Sequence, residues 1–231
     1  MTHPLEKPIP LPVNVFASEA EVRKRLTLAD LDPAAIDAAA ALGTDLVAAA
    51  HALAGSGAGE AAVAVLAQGL HRRAAVWWAC LVVRREPAPE VPPANSPRVA
   101  AAREGEIQAI EAAEAWVRSP SEALAQAAHE ASKAVPGTPA GLAALAAFLG
   151  GESLSPPGAM PVPPGDHLAG IAASGAIRIA AVRHRPETAP ATLRDFLELG
   201  RAVAAGHHRW EPSAGADGPQ DSGAITASRG Q

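Results

Sequence analysis

Over most of the chain, apolar residues recur three or four positions apart, the spacing that gathers them on one face of an α-helix. Val63, Leu66 and Leu70 follow it, as do Ile107, Ile110, Ala113 and Val117, and again Leu193, Phe196, Leu197, Gly200 and Val203. Alternating patterns and tight Asn-Gly or Asp-Gly turns between apolar runs are missing, so no strand is predicted. One run departs from the amphipathic rule. Ala74 to Val83 reads AAVWWACLVV, framed by Arg72 and Arg73 before it and Arg84 and Arg85 after it. Such a run suits a buried strand as well as a buried helix, but Ala74, Ala75 and Ala79 favour a helix and no turn signal intervenes until Pro87. The expected helix, from His71 to Arg85, puts Val76, Cys80 and Val83 on one face and Trp77, Leu81 and Arg84 on another. It is apolar nearly all round, as a helix inside a bundle is, and too short for the ~20 residues a membrane crossing takes.

Capping residues divide the rest. Ser18 with Glu21 opens a helix that ends near Leu26, Asp32 and Pro33 open one closed by Gly43, and Thr44 caps a third that breaks at Gly55 to Gly59. Glu60 to Leu70 follows, then the Trp-Trp helix. Ser96 and Pro97 start a long helix to Arg118. Ser119, Pro120 and Glu122 start the next, to Val135; Thr138 and Pro139 start one that stops at Gly150 and Gly151; Asp166 is placed to cap a helix to Arg183; and Pro190 opens the last. Gly170 and Ser174 lie four apart, which permits close packing against a neighbour. The fold class expected is all-α, an irregular bundle of antiparallel helical hairpins with about eight to nine helices. Pro-rich and Gly-rich stretches set its expected organisation: an N-terminal arm over 1–14, a helical lobe over 15–85, a linker over 86–97, a second lobe over 98–206 and a disordered tail over 207–231.

Composition narrows the setting. Hydrophobic residues make up 48% of the 231 residues but aromatics only 3%, so Ala, Leu and Val must fill the core and helices can approach closely. A net charge of −5 lacks the basic patch of a nucleic-acid surface. A single cysteine excludes an internal disulfide. The start, MTHPLEKPIPLPVNV, lacks the apolar core of a signal peptide, and a cytoplasmic protein with no membrane insertion is expected.

Candidate chemistry is sparse. Gly55 to Gly59 lacks the preceding strand and the Gly-Lys-Ser/Thr ending of a phosphate-binding loop. His3, His51, His71, His129, His167, His184, His207 and His208 are scattered without a metal-binding spacing, so neither a metal nor a cofactor is expected. Glu111 and Glu114, with Arg118 four residues beyond the latter, read as an ion-paired face. Cys80 sits among apolar residues, where a thiol is inert, and Ser174 lacks the context of a nucleophile elbow. No catalytic residues emerge. The candidate partner-binding residues are Trp77, Trp78, Arg72, Arg73, Arg84 and Arg85, because Trp and Arg dominate interface hot spots; pairing of the arginines with Glu111 and Glu114 is the structural alternative, and a structural use is expected for three of the four.

AVWWACL at 75–81, AAEAWVRSPSE at 112–122, TPAGLAALAAF at 138–148 and SPPGAMPVPP at 155–164, in that order, resemble a bacterial family that forms a domain of unknown function. The resemblance runs from Val15 to Gly206. It implies a gene near type VI secretion genes, and hence a cytoplasmic accessory, adaptor or chaperone whose partner is a secretion component or effector; it brings no catalytic residues. The leading expectation is therefore a non-enzymatic interaction protein. An immunity-type protein binding one toxin is the second, and a helical enzyme in which Glu111, Glu114 or His129 converges with Cys80 or an arginine is the third.

Overall fold

The computed structural model describes residues 13–86, 96–156 and 158–208. The arm up to residue 12, the linker at 87–95, Pro157 and the tail from 209 lie outside the described residues, and with them most of the segments expected to be extended or disordered.

Ten α-helices form among the described residues: α1 (Glu19–Leu28), α2 (Pro33–Ala40), α3 (Leu46–Gly55), α4 (Gly59–Gly69), α5 (Arg72–Arg84), α6 (Pro97–Arg118), α7 (Glu122–Ala134), α8 (Pro139–Leu149), α9 (Leu168–Val182) and α10 (Ala189–Ala204), the last preceded by a 3₁₀ turn at Pro186–Thr188. Ten is the number of helical segments read along the sequence, slightly above the eight to nine expected for the bundle. Among the described residues the only β-type pairing is one bridge between Val13 and Leu70. Val13 and Asn14, assigned to the arm, are pinned there: the Asn14 amide donates to the carbonyls of Gln68 at 2.8 Å and Leu70 at 2.9 Å.

Most caps fall where expected. Ser18, Asp32, Ser96 and Thr138 each accept from a first-turn backbone N–H. Three boundaries move. Asp45, not Thr44, caps α3, because its carboxylate accepts from both Val47 N and Ala48 N and carries the charge a helix N-terminus favours. Ser121, not Ser119, caps α7 by accepting from Leu124 N, and Ser119 instead ends α6. Asp166 does not cap α9; His167 takes that position without a side-chain bond, and Asp166 points outward, 3.9 Å from Arg25.

Among the described residues, one hydrophobic core takes in residues of both expected lobes. α5 lies at its centre and packs against α6, α8, α9 and α10, while α9 also packs on α4 and α8. Small residues let these axes approach. A Cβ on Gly170 would stand 2.6 Å from the buried Gln68 amide of α4, and one on Gly200 would stand 2.6 Å from the Trp78 ring. No helix among the described residues is long and apolar enough to cross a membrane.

Candidate functional site

The tryptophans of α5 are core residues, which corrects their expected place at a groove. Trp78 is fully buried and its indole Nε1 donates to the Phe196 carbonyl at 2.8 Å, while the buried Trp77 donates to the His208 carbonyl. A large apolar ring with one N–H is satisfied by this arrangement, since its body meets α10 and its donor finds a helix carbonyl. The arginines divide three to one. Arg72 donates to the Gly151 carbonyl, and Arg73 to the carbonyls of Val117 and Arg118 at the end of α6. Arg84 makes a two-pronged pair with Glu114 at 2.9 and 3.1 Å, and Arg118 joins the same carboxylate at 3.2 Å. That pairing holds the Arg84 guanidinium above its ordinary pKa and ties α5 to α6. Arg85 alone is exposed with no ion pair to a described residue.

Of the groups that the enzyme reading would gather, Glu114 does meet two arginines and lies within electrostatic reach of Cys80, and Glu111 lies within that of Arg84. Glu114 is committed to its two arginines, Glu111 is exposed, and the His129 ring stacks on Phe148 with centroids 4.0 Å apart. Cys80 is fully buried, and burial pushes its thiol far above the range in which a thiolate forms. No group of three or more metal-ligating side chains forms among the described residues. A separate charged cluster closes the far end of α9. Arg183 pairs with Glu106 at 2.6 Å, and Glu86 stands 3.7 Å from Arg183 and 3.5 Å from His184. One Glu86 oxygen is buried without a hydrogen bond, and burial raises the carboxyl to about 7.

An open groove lies elsewhere, between the α3–α4 turn, α9 and α10. Its volume is about 780 Å³. Gly55, Gly57 and Gly59 form one side, Ile179 and Val182 a second, and Ala189, Pro190 and Leu193 a third. Gly57 adopts a φ of +88°, a left-handed turn that favours glycine, so the GSGAG break is fixed by its backbone and also leaves the groove open. Val182 is 43% exposed, a large apolar side chain facing water. Three charged side chains mark the rim. Arg178 pairs with Glu60 across the groove at 2.5 Å, whereas Arg194 is exposed and makes no ion pair or hydrogen bond with a described residue.

Sequence reasoning passes over this groove because Gly55 to Gly59 reads as a plain helix break and no motif marks Arg178 or Arg194. The one legible signal is that Arg178 is the sole charge between Leu168 and Val182, and it falls on the wall that faces a glycine turn.

No curated protein and no solved structure matches this chain. A family model does, over residues 49–204, which takes in the three helices around the groove and all of α5. The chain therefore belongs to the family of unknown function DUF6931.

Proposed function

We propose that this protein is a non-enzymatic, partner-binding helical protein, an adaptor or chaperone for a bacterial secretion apparatus, working in the cytoplasm. The observation that carries the partner-binding part is the groove between the α3–α4 turn, α9 and α10. It exposes Val182 beside Ile179 and Leu193, gives a partner close access to the backbone at its glycines, and keeps its charges at the rim. An apolar floor with a few convergent polar groups is the ordinary composition of a ligand or peptide site. The secretion setting is supported by the resemblance of the four sequence stretches described above.

In-cell photo-crosslinking tests both parts. A crosslinking residue at Val182 is expected to trap one secretion component or effector that the same residue at the exposed Ile107 does not. Deleting the gene is expected to lower secretion or the level of the trapped protein. Identical products from both positions would overturn the partner-binding reading, and unchanged secretion and effector stability after deletion would overturn the adaptor role.

A further inference from the structure

The charges around the groove are unbalanced, and the imbalance selects an occupant. Arg194 stands on the α10 wall with no partner among the described residues, and Arg178 faces it from α9 with Glu60 as its counter-ion. The α4 helix starts at the groove behind Ala58, whose methyl offers no acceptor to the first-turn N–H groups. At the start of α10 the Thr188 hydroxyl donates to the Arg185 carbonyl, and the helix has no side-chain cap. Among the described residues Glu60 is the one acidic side chain lining the groove. Two guanidinium groups therefore face one carboxylate, and the uncapped helix starts add partial positive charge on the same side. This is a local feature, since the chain as a whole carries −5.

Resting on the partner-binding reading above, we propose that the groove takes an amphipathic polypeptide segment whose apolar face is flanked by a carboxylate. The apolar face would lie against Ile179, Val182 and Leu193, and the carboxylate would pair with Arg194. A guanidinium fork recognises a carboxylate through two parallel hydrogen bonds, which fixes the register of the segment as well as its charge. A segment flanked by lysines would meet Arg194 with a like charge, and such juxtapositions discriminate against wrong partners.

Two dye-labelled, four-turn amphipathic peptides with the same leucine and alanine face, one flanked by glutamates and one by lysines, test this by fluorescence anisotropy with the full chain. The glutamate peptide is expected to bind at least about tenfold more tightly. Arg194→Glu should cancel or reverse that preference, and Gly55→Trp should weaken both peptides, because a side chain at Gly55 meets open space beside the groove. Both positions are exposed, so circular dichroism should show both variants folded. Equal binding of the two peptides, still blocked by Gly55→Trp, overturns the acidic preference and leaves partner binding standing. Binding of neither, or binding untouched by Arg194→Glu, also overturns the acidic segment; the partner-binding reading is then judged by the crosslinks from Val182.

Discussion

Around α5, five of the six Trp and Arg side chains that look most like an interface hand their N–H groups to carbonyls and carboxylates of the same chain. Around the α3–α4 turn, α9 and α10, the opposite holds: small residues open a space, aliphatic side chains face it, and Arg194 has no described partner. The two regions use the same residue types for different ends. Where a guanidinium lies beside helix C-termini or a buried acid, it is consumed in holding helices together; at the groove Arg178 pairs with Glu60 across the space, and Arg194 has no partner among the described residues. A dense cluster of Trp and Arg therefore marks the centre of this molecule, and its open groove is built from residues that look unremarkable in sequence.

The largest expected break in this contrast is Trp78→Ala. It removes a fully buried indole packed on Gly200 together with its hydrogen bond to the Phe196 carbonyl, so chemical unfolding should show a loss of about 3–5 kcal/mol. Gly200→Val follows, at about 1–3 kcal/mol, because its Cβ would lie 2.6 Å from the Trp78 ring and 2.7 Å from Leu66. A loss below these ranges at both positions would mean that α5 and α10 are not packed as described.

A pH-dependent effect comes third. Glu86 has its carboxyl raised from 4.5 to about 7, first by burial and then by Glu106, with Arg183 opposing. Its protonated form is the one the fold prefers, so its contribution to stability is present below 4.5 and is lost as pH rises through 7. Glu86→Gln should therefore stabilise the protein at pH 8 by on the order of 1 kcal/mol, allowing for partial solvent screening, and have little effect at pH 4.5. Comparing the variant with wild type at each pH cancels the opposite trend from His184, whose pKa is lowered by burial and by Arg183. An equal effect at both pH values would contradict this. Smallest of all, Gly55→Trp should change stability by less than about 0.5 kcal/mol, since the site is exposed, while it obstructs the groove.

How far the sequence reaches follows from where each property is decided. Helix periodicity and capping are local, so α6 from Pro97 to Arg118 and the buried face Leu193, Phe196, Leu197, Gly200 and Val203 of α10 were legible. Caps went astray where two candidates lie within two residues of each other, as with Thr44 and Asp45 or Ser119 and Ser121, because the choice depends on which side chain reaches the N–H groups. The division of the four arginines was also legible in part, since Glu114 was visible as a partner for one of them. The groove was not. Gly57, Arg178 and Arg194 are far apart in sequence, and what brings them to one place is the packing of α9 and α10 on α4, which no short motif encodes.

Hydrogen–deuterium exchange of the full chain, with and without the glutamate-flanked peptide, tests most directly that recognition belongs to the groove and not to α5. Added protection is predicted over 54–60, 178–182 and 189–194, with 72–85 unchanged because its helix is already buried. Protection confined to 72–86, with the α3–α4 turn and α10 exchanging as before, would contradict the account and return the binding site to the Trp-Trp helix.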